Sequence, residues 1–587
     1  MRFLFSVLAL ILIVGNAAAA TVYIDPTCGS SGDGTTTTCG ANGPFKTWAE
    51  VTWTAGNTYS QKGGTTATGT TGDAVVTIGE TGTAGNIITI NSYGTGKAII
   101  DGIKTVASNS WTPNDPVAGV YSQASVSNKM WYEDGVRLLY GTAAADLTAG
   151  QVFWESEKNY YKPSSGTPAE HTVQIAYDYC FFLGARNYVT INNISMTRAA
   201  VGIGNAAGGA SVAGTSNSNI TITNCTFDDL AWGINIISNG SNSSYFTITG
   251  NSLSYIGNGI ELGATTSDSN SQVTIANNTI TYCSQKKGTA NLWRLNTGAG
   301  RPSDYQYMHY YFDSEGIGLQ NVSSGNIYSN SITGAGRGIV HYVLAAGAGS
   351  NNNFYKNYIN VSQQSLQFAT ENGCTFSNNK AYYNVLKGGQ YDAAYSGGYT
   401  VAVYLTNPST VTGTNYLYNN TIESTGYVGV GAFIGLSGYT ISNNIIYGSN
   451  LTLLQWIFYI EGSGSNLSID YNLYYPASND IRSANQWGYD SANKTWAQWQ
   501  AAGFDTHSPS PSDPKFISAS NYMLQSDSPA KDAGIDWGQT GDFLGVARQG
   551  AAWDIGAYEY FTGGAIFLSG GTGTITLGGS GSITITP

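Results

Sequence analysis

Apolar residues recur along this chain in a short fixed frame, apolar-x-x-Asn-x-apolar. It reads Ile248-Thr-Gly-Asn251-Ser-Leu253, Ile275-Ala-Asn-Asn278-Thr-Ile280, Ile327-Tyr-Ser-Asn330-Ser-Ile332 and Phe354-Tyr-Lys-Asn357-Tyr-Ile359. The frame continues at Asn379, Asn420, Asn444 and Asn472, and two earlier copies carry Ile194 and Cys225 at the Asn position. Spacings run from about 22 to 31 residues, except for 52 between Asn278 and Asn330 and 41 between Asn379 and Asn420. Most copies are followed by a second apolar strand, often opened by glycine: Gly233-Ile-Asn-Ile236, Gly259-Ile-Glu-Leu262, Gly316-Ile-Gly-Leu319 and Gly338-Ile-Val-His341. A repeat of this length marks a stacked architecture. One coil is too short to bury its own apolar face. Stacking in parallel register puts Ile over Ile and pairs each strand's backbone with the coils above and below. Asn tolerates the left-handed backbone region, and its amide can bond the next Asn along. The pattern therefore predicts an all-β parallel β-helix with an asparagine ladder. A β-sandwich has similar strand composition, but the fixed Asn register argues against it.

The frame is interrupted at both ends, which divides the chain. Residues 1–20 read as a secretory signal: Arg2, an apolar run Phe3 to Val14, then small residues to Ala20. Residues 21–104 are expected to hold an N-terminal cap and the first coils, and 105–185 a β-rich insertion around Trp111, Trp131-Tyr-Glu-Asp-Gly135 and Phe153-Trp154. The main β-helix covers 186–475. Residues 476–560 are a C-terminal cap that covers the last rung's open edge, and it includes a short amphipathic helix within Lys494 to Gly503. A Gly/Thr/Ser-rich tail, 561–587, follows.

The entry segment, Tyr23-Ile-Asp-Pro through Gly43-Pro-Phe-Lys-Thr-Trp48, and Ile87-Thr-Ile-Asn-Ser-Tyr-Gly94 running to Ile100-Asp-Gly102, resemble the opening coils of the pectate-lyase-like superfamily. With the repeat, the resemblance covers roughly residues 21 to 560 and implies a right-handed parallel β-helix. That superfamily includes lyases, hydrolases, epimerases, adhesins and phage tailspikes, so it implies no single activity. The N-T-D, G-H-G and R-I-K set of polygalacturonases is absent, as is the W-I-D-H motif of pectate lyases. Asp228-Asp229 is present without those companions.

Charge narrows the partners. The formal net charge is −12, and only 10% of residues are charged. Nucleic acid needs a basic stripe and is disfavoured. Anionic membrane surfaces are disfavoured for the same reason, and no segment after the signal is long and apolar enough to span a bilayer. An acidic polysaccharide would require a local basic patch or a bridging cation. Export sets an oxidising compartment, in which Cys28 and Cys39 are placed for a local disulfide. Cys180, Cys225, Cys283 and Cys374 lack metal-ligand spacing and read mostly as small buried hydrophobes.

Candidate chemistry gathers where the ladder has its longest gap. A loop after Cys283 carries Trp293, Arg294, Arg301, His309, Tyr311 and Asp313, and leads to Glu315. Long loops in compact repeats are functional or disordered. Aromatic rings beside cations suit sugar faces and carboxylates. Trp293, Arg294, Arg301, Tyr311 and Glu261 are the candidate polysaccharide-binding residues, with Glu261 in an outward column beside Asn235. His309, Arg337 and His341 are the catalytic candidates. Asp313 and Glu315 are the candidate ligands for Ca²⁺. Glu315 and Arg337 precede the Gly of adjacent coils and should stand one rung apart, either as a site or as a structural ion pair. Strict alternation turns both inward, while a bend at the Gly turns them out. His341 aligns with Leu262, Leu319 and Phe368, which favours the core. Two readings follow: an exported β-helix that binds an acidic polysaccharide and cleaves it by β-elimination, or a non-catalytic adhesin, matrix or tailspike-like scaffold.

Overall fold

The computed structural model describes residues 19–561 except 70–72, 108–109, 125–129, 142, 156–157, 206–214, 266–267, 284–313, 372, 390–400, 407–412, 433–435, 451–453, 462–464, 476–486 and 490–491. Three strand columns run along the described residues. The first passes from Thr21–Ile24 through Val189–Asn192, Ser243–Thr249 and Lys380–Tyr382 to Leu467–Asp470. The second includes Ile194–Thr197, Thr279–Thr281, Ser331–Thr333, Tyr358–Asn360 and Ile445–Gly448. The third includes Tyr179–Phe182, Val201–Gly204, Glu315–Gln320, Arg337–Val343, Leu366–Thr370 and Trp456–Ile460. Strands Thr226–Ser238 and Ser252–Ala264 are long enough to serve both the second and third columns. Within each column successive coils pair in parallel, and the two faces meet at Asn-bearing bends. This is a right-handed parallel β-helix. Its core is one continuous cluster from Ile24 to Phe504, built of inward Ile, Val, Leu and Phe stacked rung on rung.

The ladder is real, and its register differs from the sequence expectation at one rung. Asn251, Asn278, Asn330, Asn357, Asn384, Asn420, Asn444 and Asn472 form one column, each amide donating to the next Asn Oδ1 at 2.9–3.0 Å. Asn379 is not in it. It stands in a second ladder with Asn352 and Asn415, at another bend. The coil at Ala381-Tyr-Tyr-Asn384 fits the frame as well as Phe376-Ser-Asn-Asn379, so pattern alone cannot separate them. The left-handed role also falls elsewhere. The residue before each ladder Asn takes positive φ, whether Asn277, Ser329, Lys356, Tyr383 or Tyr471. That residue turns the chain, and the ladder Asn, now facing inward, is left to bond along the axis. The ladder ends in the cap, where Asn472 Nδ2 donates to Asp505 Oδ1 at 3.0 Å. Asp505 is fully buried, and Tyr474, Trp499 and Ser508 also donate to it.

Tyr328, Tyr355, Tyr382 and Tyr418 stack on the outer surface with ring centroids 4.8–5.1 Å apart, and Trp537 of the cap closes the stack. Stacked this way the rings offer edges rather than faces, so they brace the wall. The insertion forms a four-stranded and a five-stranded sheet beside the helix. Buried ion pairs Arg137–Asp229 and Arg198–Asp101 tie it and its flank to the coils. Thr495 caps the short helix Trp496–Ala501. Cys28 and Cys39 are disulfide-bonded, and the other four cysteines are reduced and buried.

Candidate functional site

The third face is shaped by a glycine column, Gly202, Gly233, Gly259, Gly316 and Gly338. A Cβ on Gly259 would lie 2.3 Å from the Gly316 carbonyl oxygen, and one on Gly338 would lie 2.3 Å from that of Ser365. No side chain fits at this approach. Side-chain alternation resets here. Ile317 and Ile339 face the core, while Glu315 and Arg337, two residues earlier, stand at the surface with side chains 22% and 26% exposed. They are register partners on adjacent strands, with Arg337 Nη1 3.5 Å from Glu315 Oε1. The rung below supplies Asn258, whose Oδ1 accepts from the Glu315 backbone N–H at 3.0 Å.

A second outward column runs beside it: Glu261, Gly318, Val340, Gln367. Glu261 Oε2 accepts from Trp232 Nε1 at 3.0 Å. Burial pushes the Glu261 carboxyl above its ordinary range, against the opposing effect of that bond. Gly318 makes the room. A Cβ there would meet Glu315 Oε2 at 2.3 Å and Glu261 Cγ at 3.8 Å, so the Glu315 carboxyl leans over it beside the Glu261 stem, whose Oε2 is turned to Trp232. The result is a cavity of about 290 Å³ lined by Glu261, Glu315, Gln320, Arg337, Tyr342 and Gln367. Gln367 Oε1 is buried in the wall with no hydrogen-bond partner in the protein, an acceptor that a sugar hydroxyl can meet.

Of the residues singled out from sequence, the structure brings together Glu261, Glu315 and Arg337. His341 needs correction as a catalytic candidate. It is fully buried and packed among Phe354, Phe368 and Phe376, in register with Leu319 below and Phe368 above. No substrate reaches it. His309, Trp293, Arg294, Arg301, Tyr311 and Asp313 lie outside the described residues. Ca²⁺ takes six to eight oxygen ligands. Among the described residues the cavity instead offers one carboxyl pushed toward its neutral form and one beside a guanidinium. Those two carboxyls fall short of that number, and Asp313, the other candidate ligand, lies outside the described residues. Sequence reasoning missed Trp232, Gln320, Tyr342 and Gln367. Counting rung by rung from Glu261 along the outward column reaches Gln367, so a complete register would have found it.

In the insertion, Glu133, Asp134 and His171 bring their ligand atoms close together. His171 bonds Asp134 Oδ2 through Nδ1 at 2.7 Å and the Ser165 carbonyl through Nε2 at 2.8 Å. Glu133 accepts from Tyr161 and Ser164. The imidazole is thus held as a double donor that fastens a turn.

No protein family matches the sequence, and no curated protein matches it. Solved structures do resemble it in shape. A XylC complex with xylose covers 81% of this chain and 86% of its own at 12% identity, with a TM-score of 0.47. The Eubacterium ramulus GH136 lacto-N-biosidase covers 78% and 68% at 11% identity, with a TM-score of 0.39. Pectate lyase Pel9A covers 93% and 98% at 14% identity, with a TM-score of 0.33. The fold is the right-handed parallel β-helix. At such identities the likeness is one of fold alone.

Proposed function

We propose that this protein is an exported, carbohydrate-active β-helix whose groove cleaves glycosidic bonds, with Glu261 as general acid and Glu315 as its ionised partner. The observation that carries the reading is that one cavity beside Gly318 is lined by two acidic side chains in contrasting surroundings. Glycoside cleavage needs one carboxylic acid to protonate the departing oxygen and one carboxylate to activate water or attack the anomeric carbon. Environments that separate two carboxyl pKa values assign those roles. Burial of Glu261 favours its protonated form, the form a general acid needs. Arg337 Nη1, 3.5 Å from Glu315 Oε1, orients that carboxylate. Gln320, Tyr342 and Gln367 supply polar contacts for hydroxyls. Export is supported by the signal-like residues 1–20 and by the Cys28–Cys39 disulfide.

Elimination on a uronate is the competing chemistry. It needs a base at the carbon next to the carboxylate and a cation on the developing enolate. Arg337 offers the cation, but its charge is already shared with Glu315. One experiment separates the readings. The secreted protein is incubated with neutral and acidic glycans, and new reducing ends and the ultraviolet absorbance of unsaturated uronates are followed for wild type, Glu261→Gln and Glu315→Gln. Reducing ends without absorbance, lost by about 100-fold or more in either variant, are the expected result. Absorbance appearing with the reducing ends identifies a lyase. Binding with neither signal leaves the adhesin or tailspike-like scaffold.

A further inference from the structure

At the bend between the second and third strand columns, five residues hold positive φ one above another: Arg198 at 56°, Asp229 at 56°, Tyr255 at 55°, Tyr282 at 56° and Gly334 at 71°. Their neighbours pair in register, so the five form one outward column along the helix axis. The lower two are absorbed by the insertion and its flank. Arg198 pairs with Asp101 and lies over the Tyr132 ring, and Asp229 pairs with Arg137 at 3.1 Å. The next two make a stacked pair with ring centroids 5.1 Å apart and planes 14° from parallel. The fifth is glycine and adds no side chain above them.

Left-handed backbone is disfavoured for a bulky residue, and such outliers cluster where a ligand is met. Of the other tyrosines with positive φ, Tyr383 packs on Trp553 and Tyr471 stacks on His507, while Tyr245 is 51% exposed. Among the described residues, Tyr255 is the aromatic group that packs on Tyr282. Tyr282 is 48% exposed, held flat by Tyr255 on one face and followed by Gly334 on the other side. The column also lies close to the groove. Tyr255 stands three residues before Asn258, and Gly334 three residues before Arg337, so the ring column is at most about 11 Å of chain from the Glu315–Arg337 column.

We infer that Tyr282, backed by Tyr255, is a stacking platform for a pyranose ring of the glycan, within about four sugar units of the bond cleaved over Gly318. This rests on the reading of the groove given above. An aromatic face is apolar and slightly electron-rich, and it suits the C–H face of a sugar without demanding charge. The partner is therefore an extended glycan chain. A single sugar in the cavity does not reach the ring.

The test compares wild type with Tyr282→Asn, Tyr282→Trp and Glu261→Gln. Asn tolerates the left-handed backbone and removes the ring, so folding is retained. KM and kcat are measured on a polymeric glycan that the wild type cleaves and on an aryl glycoside of one sugar. Retardation of each protein in gels containing the glycan gives binding without turnover. Tyr282→Asn is expected to raise KM on the polymer about tenfold, leave kcat and the aryl glycoside unchanged and lose gel retardation by a similar factor. Tyr282→Trp is expected to behave as wild type. If Tyr282→Asn keeps the polymer KM and the gel retardation of wild type, the platform is refuted, whatever Glu261→Gln does. If Glu261→Gln keeps full turnover, the groove reading fails, and the platform then stands or falls on the gel alone. A wild type retarded by no glycan in the panel refutes the platform.

Discussion

His341 offers a quantitative test of the packing argument. It is fully buried among three phenylalanines, and neither ring nitrogen has a partner with hydrogen-bond geometry, the nearest help being the Val322 backbone. Burial lowers its pKa from 6.5 to about 4. The unfolded chain therefore binds a proton more readily than the folded one between those values. Stability from this group is fully present above about pH 6.5 and is lost as pH falls toward 4. A shift of this size corresponds to roughly 3 kcal/mol, at about 1.4 kcal/mol per pH unit. His341→Leu copies Leu319, the register partner one rung below. The variant should be more stable at pH 7 by about 1–3 kcal/mol, because buried nitrogens without partners are removed. It should also lose roughly 3 kcal/mol less than wild type between pH 7 and 4. Urea unfolding midpoints at the two pH values, read by tryptophan fluorescence, provide the comparison. All other titrating groups are common to both proteins and cancel in the difference. Equal acid sensitivity in variant and wild type would refute the claim that a neutral histidine is confined in the core.

Asn357→Ala removes the acceptor of the Asn330 backbone N–H and amide and the donor to the Ile327 carbonyl, all at 2.9–3.0 Å in the buried ladder. Stranding these groups should cost roughly 3–5 kcal/mol, and a change in unfolding free energy below about 1 kcal/mol would show that the ladder is passive. The C-terminal cap should show the opposite pH slope to His341. Buried Glu559, facing Asp554 and Asp542, is pushed up to about 8. Its contribution is fully present below the ordinary glutamate range and lost as pH rises through about 8. Glu559→Gln should flatten that loss in a thermal-unfolding series from pH 5 to 9, and an unchanged slope would place the effect elsewhere.

Fold legibility followed from period. Ile over Ile and the Asn column are local facts repeated many times, so one misassigned rung, Asn379 for Asn384, left the architecture intact. The site depends on parity, which is a single fact at each strand. Glu315 and Arg337 face out because alternation resets at Gly316 and Gly338, and the sequence shows the glycines without showing the direction of the reset. His341 lies beyond the reset, where alternation holds, and its alignment with Leu262, Leu319 and Phe368 correctly placed it in the core. Trp232 and Gln367 escaped notice because they lie in other coils, 83 and 52 residues from Glu315 in sequence yet within two or three rungs of it.

The groove also explains why the glycine column persists only part of the way. At Gly202, Gly233, Gly259 and Gly338 the backbone of the next rung is too close for a Cβ, and at Gly316 the Ile332 side chain is, whereas the next coil places Ser365 at this position and later ones Ala402 and Gly429. Tight approach keeps the strands from diverging where the chain turns its polar residues outward. It therefore holds the Glu315 and Arg337 side chains at a fixed distance across one rung. Below them the insertion covers the same face, burying Trp232 and Val201 beneath Tyr132 and Met130. Glu261 stands where that cover ends. One edge of its carboxyl is desolvated against Trp232, and the other opens on the cavity. A continuous cover would bury both acids beyond use, and without any cover Glu261 would lose the desolvation that raises its pKa. The raised pKa of Glu261 thus follows from where the insertion stops on a regular face, so trimming the insertion should lower it and move the alkaline limb of the pH–rate profile, set by loss of the general acid's proton, toward lower pH.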